Sequence, residues 1–372
     1  MSLVLNGTTG ITNLPSINSG QIGGSRNKII NGAMVIDQRN VGASVTPAST
    51  PTYTIDRWNF QYTANSKFST QRSTTVPSGF TNSMLVTSLS AYSVGSGDIF
   101  LVQQSIEGFN IADLAWGTAS ATTVTLSLWV RSSLTGTFGG ALLNAAQNRS
   151  YPFTYAISSA NTWEKKSITI AGDTTGTWAT DNSAGIRVTF GLGGGATYSG
   201  TAGEWVAAGK YTATSAVSVV GTNAATWHVT GVQLEVGSTA TEFESRSFGE
   251  ELALCKRYFE KSYDYDVVPG TNTIVGTHAS GGNNAGTTTS WVAVNSYIFA
   301  TAKRDNPTMV AYDTAGTAGK ITRFHYGAAD VHGQNPVFNA IGTTNFDGYS
   351  SGTGGSAAES GTRLHFTATS EL

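Results

Sequence analysis

The chain has 372 residues, enough for two or three domains with a core each. Only 12% of them are charged, against ~25% in ordinary soluble domains, and the formal net charge is −2. No basic stripe is present to attract a polyanion, which argues against a nucleic-acid binder, and a single cysteine, Cys255, rules out an intramolecular disulfide and a disulfide-stapled scaffold.

Abundant Thr and Ser, 44 Gly, 8 Trp, 14 Tyr and 16 Phe favour strands and tight turns over helices. The aromatic content and low net charge also speak against disorder. No run approaches the ~20 apolar residues of a membrane span. The opening MSLVLNGTTG lacks the basic start and apolar stretch of a signal peptide, so if the protein acts outside a cell, release by lysis or inside a particle is expected.

Residues 1–26 read as a separate segment. Leu3 and Leu5 alternate, Asn6-Gly7 makes a turn, and the polar remainder is too short for a core, so it is expected to dock elsewhere or trimerise. From 27 to 247 the strand signal recurs with period two. Trp58, Phe60 and Tyr62 alternate. Val124, Leu126, Leu128 and Val130 point one way, with Thr125, Ser127 and Trp129 on the other side. Ile168 with Ile170, the set Ile186, Val188, Phe190 and Leu192, and Val232, Leu234 and Val236 follow the same rule. Such strands, separated by Gly/Thr/Asn turns, predict a two-sheet antiparallel sandwich.

The pattern breaks once, at SFGEELALCKRYFEK. Ser247 and Glu250 have capping-box spacing, Leu252, Cys255, Tyr258 and Phe259 share a helical face, and acids precede bases along the dipole. A helix over 248–261, linking two domains, is the expectation, with Cys255 as core. From 262 to 372 the alternation returns (Val292 with Val294, Val310 with Tyr312, Leu364 with Phe366) between glycine-rich loops, predicting a second, smaller β-sandwich domain.

Catalytic motifs are missing. The five histidines, His228, His278, His325, His332 and His365, form no metal-binding pair at HxH or HExxH spacing, and neither a GxSxG elbow nor a phosphate-cradling loop occurs. The acids are scattered, so the sequence pairs no two carboxylates for glycoside cleavage. Non-catalytic binding is therefore expected, without cofactor or metal. Aromatic rings offer the alternative, because the C–H face of a sugar stacks on them. Trp58, Trp129, Trp163 and Trp227 lie in strand patterns and read as core; Trp116, Trp178 and Trp205 lie near turns. In the last domain Trp291, Tyr297, Tyr312, Tyr326 and Tyr349 lie in or near loops rich in Gly and Asn and are the expected carbohydrate-binding group.

NKIINGAMVIDQRN (27–40) followed by YTIDRWNF (53–60) resembles the opening of a jelly-roll module of bacteriophage tail fibres and related virion proteins. TGVQLEVGSTATEFESRSFGEELALCKRYFEKSY (230–263) resembles its closing strand and following helix, and 126–142 and 163–178 resemble its middle strands. LVLNGTTGI (3–11) resembles phage fibre N-termini. The resemblance implies a carbohydrate-binding-module-like jelly roll on a virion, usually as a homotrimer. It further implies a segment 1–26 anchored to other tail or baseplate proteins, and a C-terminal domain facing a host surface glycan. Related modules often hold a structural calcium near the positions matching Asn31-Gly32 and Gln233–Glu235, although an acidic ligand is not evident in TGVQLEVG. Neither nucleic acid nor membrane insertion is expected. The alternative readings are a capsid-decoration or baseplate protein that stabilises the particle, and a glycan-degrading tailspike enzyme.

Overall fold

The structure, a computed structural model, describes residues 16–17, 20–21, 26–281, 290–325, 329–352 and 359–372; at 16–17, 20–21, 280–281, 290–295, 325, 349–352 and 359–360 it describes the backbone alone. The chain divides into two compact units. One comprises Met1–Met34, Thr46–Thr52 and Asn59–Ser245, the other Val35–Val45, Tyr53–Trp58 and Arg246–Leu372. Of the expected anchor, only Ser16–Ile17, Gly20–Gln21 and Arg26 fall within the described residues. Among the described residues no helix is long and apolar enough to cross a membrane.

Up to residue 236 the main strands are Thr52–Ile55 (β1), Trp58–Tyr62 (β2), Phe68–Ser73 (β3), Ser83–Ser88 (β4), Ile99–Glu107 (β5) and Val124–Ser132 (β6). They continue with Gly136–Asn144 (β7), Ser150–Ile157 (β8), Glu164–Ile170 (β9), Ala184–Gly194 (β10) and Thr226–Val236 (β11). One sheet runs β8-β7-β10-β5-β2-β1 and the other β9-β6-β11-β4-β3, a jelly-roll sandwich with antiparallel pairing.

The expected alternations form the core between these sheets. Val124, Leu126, Leu128 and Val130 are fully buried, as are Ile186, Val188, Phe190 and Leu192. Contacts across the sandwich join the layers: Phe190 lies 5.9 Å from Trp227, Phe60 5.3 Å from Phe68, and Trp227 Nε1 donates to the Tyr155 hydroxyl at 3.2 Å. Each buried side chain of this size contributes ~1.5–3 kcal/mol of transfer free energy.

The second unit begins with the helix Phe248–Lys256 (α1). Its capping box is present: Ser247 Oγ accepts from the Glu250 amide, and Glu250 accepts from the Ser247 amide. The helix is shorter than the expected 248–261 span. It stops at Lys256, because Phe259–Lys261 (β12) joins a sheet instead, pairing with the long strand Glu359–Thr369 (β20). Between them lie His278–Gly281 (β13), Ser290–Ile298 (β14), Thr308–Tyr312 (β15), Ile321–His325 (β16), Val331–Gln334 (β17), Pro336–Asn339 (β18) and Asn345–Gly352 (β19). β20 pairs with β12, β13, β15 and β16, and a three-stranded sheet runs β14-β19-β18. Phe299, Ala311, Ile321, Phe346, Leu364, Phe366 and Ala368 form the core. Cys255 is fully buried in this unit and burial pushes its thiol pKa well up, so it is core, as its helical position predicts.

Stretches 35–45 and 53–58 pack into this unit through polar groups. Asp56 accepts from the Gln38 amide and from Arg39, and the buried Arg57 pairs with Glu371 while lying over the Tyr258 ring.

Candidate carbohydrate-binding face

The same alternation that buries one side of β6 sends Ser127, Trp129 and Arg131 to the other face of the five-stranded sheet. The register places Arg131 opposite His228 of β11, His228 opposite Leu85 of β4, and Leu85 opposite Gln71 of β3. Trp163, one residue ahead of β9, completes this row: its ring lies edge-on to His228 at 5.8 Å. The next row runs Lys165, Trp129 and Thr230, with Ser83 and Ser73 paired further along. Trp129, Trp163, Arg131, Leu85 and Gln71 are partly exposed, whereas Thr230 and Ser83 are buried.

Beyond this row β11 bulges between Thr230 and Gln233. Gly231 takes φ +60° there, with Phe80 and Trp129 so close that a Cβ would lie 2.6 Å from the Phe80 ring. Glycine supplies both the left-handed backbone and the space. Phe80 in turn packs on Phe243 at 5.3 Å, so an aromatic strip flanks Trp129.

At the centre of the first row the hydrogen bonds fix a tautomer. Arg131 Nη1 lies 3.3 Å from His228 Nε2, which must accept because a guanidinium only donates. His228 Nδ1 therefore carries the proton and donates to Ser83 Oγ at 3.4 Å, and Ser83 Oγ donates to the Thr75 carbonyl at 2.7 Å. Arg131 Nε donates to the Asn161 carbonyl at 2.9 Å. Burial, and then the Arg131 charge, hold the His228 pKa down at about 4, so the imidazole stays neutral at physiological pH.

Partly exposed indoles, an amide and a fixed guanidinium on one sheet face match a saccharide, whose C–H faces stack on rings while its hydroxyls need polar partners. Neither row contains a carboxylate; Glu242 reaches in from a loop, 3.7 Å from Lys165 Nζ.

Of the five aromatics expected to bind carbohydrate, Tyr297 and Tyr312 have described side chains. Tyr297, partly buried, packs against Phe366 at 4.6 Å and Phe346 at 5.6 Å, and its hydroxyl donates to Glu260 at 3.2 Å. Tyr312 is half-buried, edge-on to Tyr263 at 6.0 Å. Trp291 and Tyr349 sit on neighbouring strands β14 and β19, where Tyr349 faces Ala293, but their side chains lie outside the described residues, as does all of Tyr326. A cavity of about 330 Å³ in this unit is lined by Lys261, Tyr263, Asp264, His278 and Tyr297 among others. Its groups are engaged internally: Tyr263 stacks on His365 at 3.6 Å, and Lys261 Nζ donates to the Tyr265 and Val267 carbonyls.

The four strand tryptophans separate by face. Trp58 and Trp227 are fully buried, as expected for core, but Trp129 and Trp163 sit on the outer face because their neighbours in the alternation fill the core. Trp116, Trp178 and Trp205 form an edge-to-face cluster with centroids 4.8–5.4 Å apart, and each indole N–H donates to a backbone carbonyl. The positions that the resemblance associates with calcium do not fit an ion. Glu235 accepts from the Thr241 amide and hydroxyl and from Gln233, and the Arg26 guanidinium lies 3.7 Å away. Among the described residues no group of three His, Cys, Asp or Glu could hold a metal.

No family model matches the chain, and no curated protein matches it. Solved structures similar to it include the enzymatically active domain of bacteriophage CBA120 tailspike protein 4, at 12% identity and TM-score 0.32 over 56% of this chain and 21% of that one. The family 11 carbohydrate-binding module from Clostridium thermocellum, in complex with a mixed-linked tetrasaccharide, is 12% identical with TM-score 0.27, over 53% of this chain and 98% of the module. A family 61 carbohydrate-binding module in complex with galactotriose is 11% identical with TM-score 0.28, over 57% and 99%.

Proposed function

We propose that the chain is a non-catalytic attachment protein of a bacteriophage virion that binds host surface glycans. The observation that carries the glycan part is the pair of cross-strand rows bringing Trp163, Arg131, His228 and Gln71 beside Lys165, Trp129 and Thr230. The virion part is supported by the resemblance of 27–40, 53–60 and 230–263 to tail-fibre jelly rolls. In this reading residues 1–26 attach to tail or baseplate proteins, 27–247 are the jelly roll, 248–261 lead out of it, and 262–372 form the host-facing tip. The chain works as a homotrimer, so weak sites multiply through valency.

The test is binding of the full chain to an array of bacterial envelope glycans. Binding weakened at least tenfold by Trp129→Ala with Trp163→Ala, with unchanged circular dichroism, is expected. Unaltered binding by the double variant removes the face from the function. Release of oligosaccharide from the bound glycan overturns the non-catalytic reading, and light scattering at monomer mass overturns the trimer.

A further inference from the structure

We infer that the sheet face selects an acidic saccharide, and that Arg131 reads the oxyanion, a carboxylate or phosphate on the sugar. This inference rests on the glycan reading of the face and specifies its ligand.

Arg131 is built to present its charge outward. Its Nε is held by the Asn161 carbonyl at 2.9 Å and its Nη1 by His228 Nε2 at 3.3 Å. Contacts at Nε and at Nη1, on opposite sides of the group, fix the plane of the guanidinium, and Nη2 keeps its N–H groups to donate to an oxyanion. Neither holding partner is charged, and among the described residues no carboxylate pairs with Arg131. Other arginines differ: Arg149 is paired bidentately with Asp173, and Arg39 pairs with Asp56 and Glu371.

His228 serves the same end. It lies 4% exposed and neutral, and its hydrogen bonds to Ser83 and on to the Thr75 carbonyl fix the nitrogen that faces Arg131 as an acceptor. An acid at position 228 would hold the arginine more tightly but would consume its charge. A neutral imidazole orients the guanidinium without neutralising it. Trp163, edge-on to His228, and Trp129 in the next row place ring surface beside the guanidinium, where the body of the sugar would stack. Lys165 adds a second cation on the same face, partly offset by the exposed Glu242 at 3.7 Å.

The experiment uses the full chain with three oligosaccharide probes: an oligoglucuronate, its carboxyl-reduced neutral counterpart, and a phosphorylated oligosaccharide. Calorimetry is expected to give at least tenfold tighter binding of one or both acidic probes than of the neutral one, weakening with salt. Arg131→Gln should abolish that preference, bringing acidic and neutral probes to within about twofold of each other, and Arg131→Lys should restore only part of it. The carboxylated and phosphorylated arms separate the two sources of the anion. Equal affinity for acidic and neutral probes, or an acidic preference that survives Arg131→Gln, overturns the inference and leaves the glycan reading standing. If no probe binds and the Trp129/Trp163 variant binds array glycans like the native chain, the glycan reading falls with it.

Discussion

His228 gives the face a measurable pH signature. Its native pKa is about 4 against an ordinary value of 6.5, first because it is buried and second because Arg131 stands beside it. The unfolded chain protonates this histidine near 6.5 and the native chain does not until about 4. Between those values the unfolded state holds more protons, so stability rises with pH, and the contribution is lost as pH falls from above 6.5 toward 4. At ~1.4 kcal/mol per pH unit the gap corresponds to at most ~3.5 kcal/mol. Two measurements check it: NMR titration of the His228 imidazole, and urea unfolding of native chain and His228→Gln at pH 7 and pH ~4.5. The native protein should lose up to ~3 kcal/mol more over that interval than the variant, because glutamine does not titrate. A His228 midpoint near 6.5, or parallel losses in the two proteins, refutes the tautomer and the neutral contact to Arg131.

Other substitutions separate core from surface. Trp227→Ala should destabilise the first unit by ~3–5 kcal/mol in urea unfolding, whereas Trp163→Ala should cost under ~1 kcal/mol and act on binding. Lys303 is buried with its Nζ 2.5 Å from Glu260 Oε2, so Glu260→Gln, which strands that charge, should cost ~3–5 kcal/mol in the second unit, measured by its thermal transition. Gly231→Ala forces a Cβ against Phe80 at a left-handed backbone position and should lower stability by ~1–3 kcal/mol while disturbing Trp129 fluorescence. Cys255, buried and with its thiol pKa raised, should resist a thiol reagent in the native state and react on unfolding.

Period-two alternation was legible because it states a local rule. Val124 to Val130, and Ile186 to Leu192, turned out buried as the pattern required, and the Ser247/Glu250 spacing located the helix start. The helix end was not legible, since Tyr258 and Phe259 suit a helical face as well as a strand and only pairing with β20 decides. The site was half legible. The wet side of β6 already held Trp129, but a tryptophan on a strand reads as core until the register of its neighbours is known. Arg131, His228, Leu85 and Gln71 come from four strands spread over 158 positions (228 − 71 + 1), and no local pattern joins them. Tyr297 lies near a loop in the sequence, and its partly buried ring packs on the cluster around Phe346 and Phe366. Loop composition does not reveal which side chains the sheets will enclose.

The most direct test of the account is binding of the full chain to envelope glycans from its host, compared with the Trp129→Ala/Trp163→Ala double variant of equal fold. The account predicts salt-sensitive binding of the native chain, at least a tenfold loss in the double variant, and no released oligosaccharide. Undiminished binding by the double variant, or cleavage of the glycan, contradicts it.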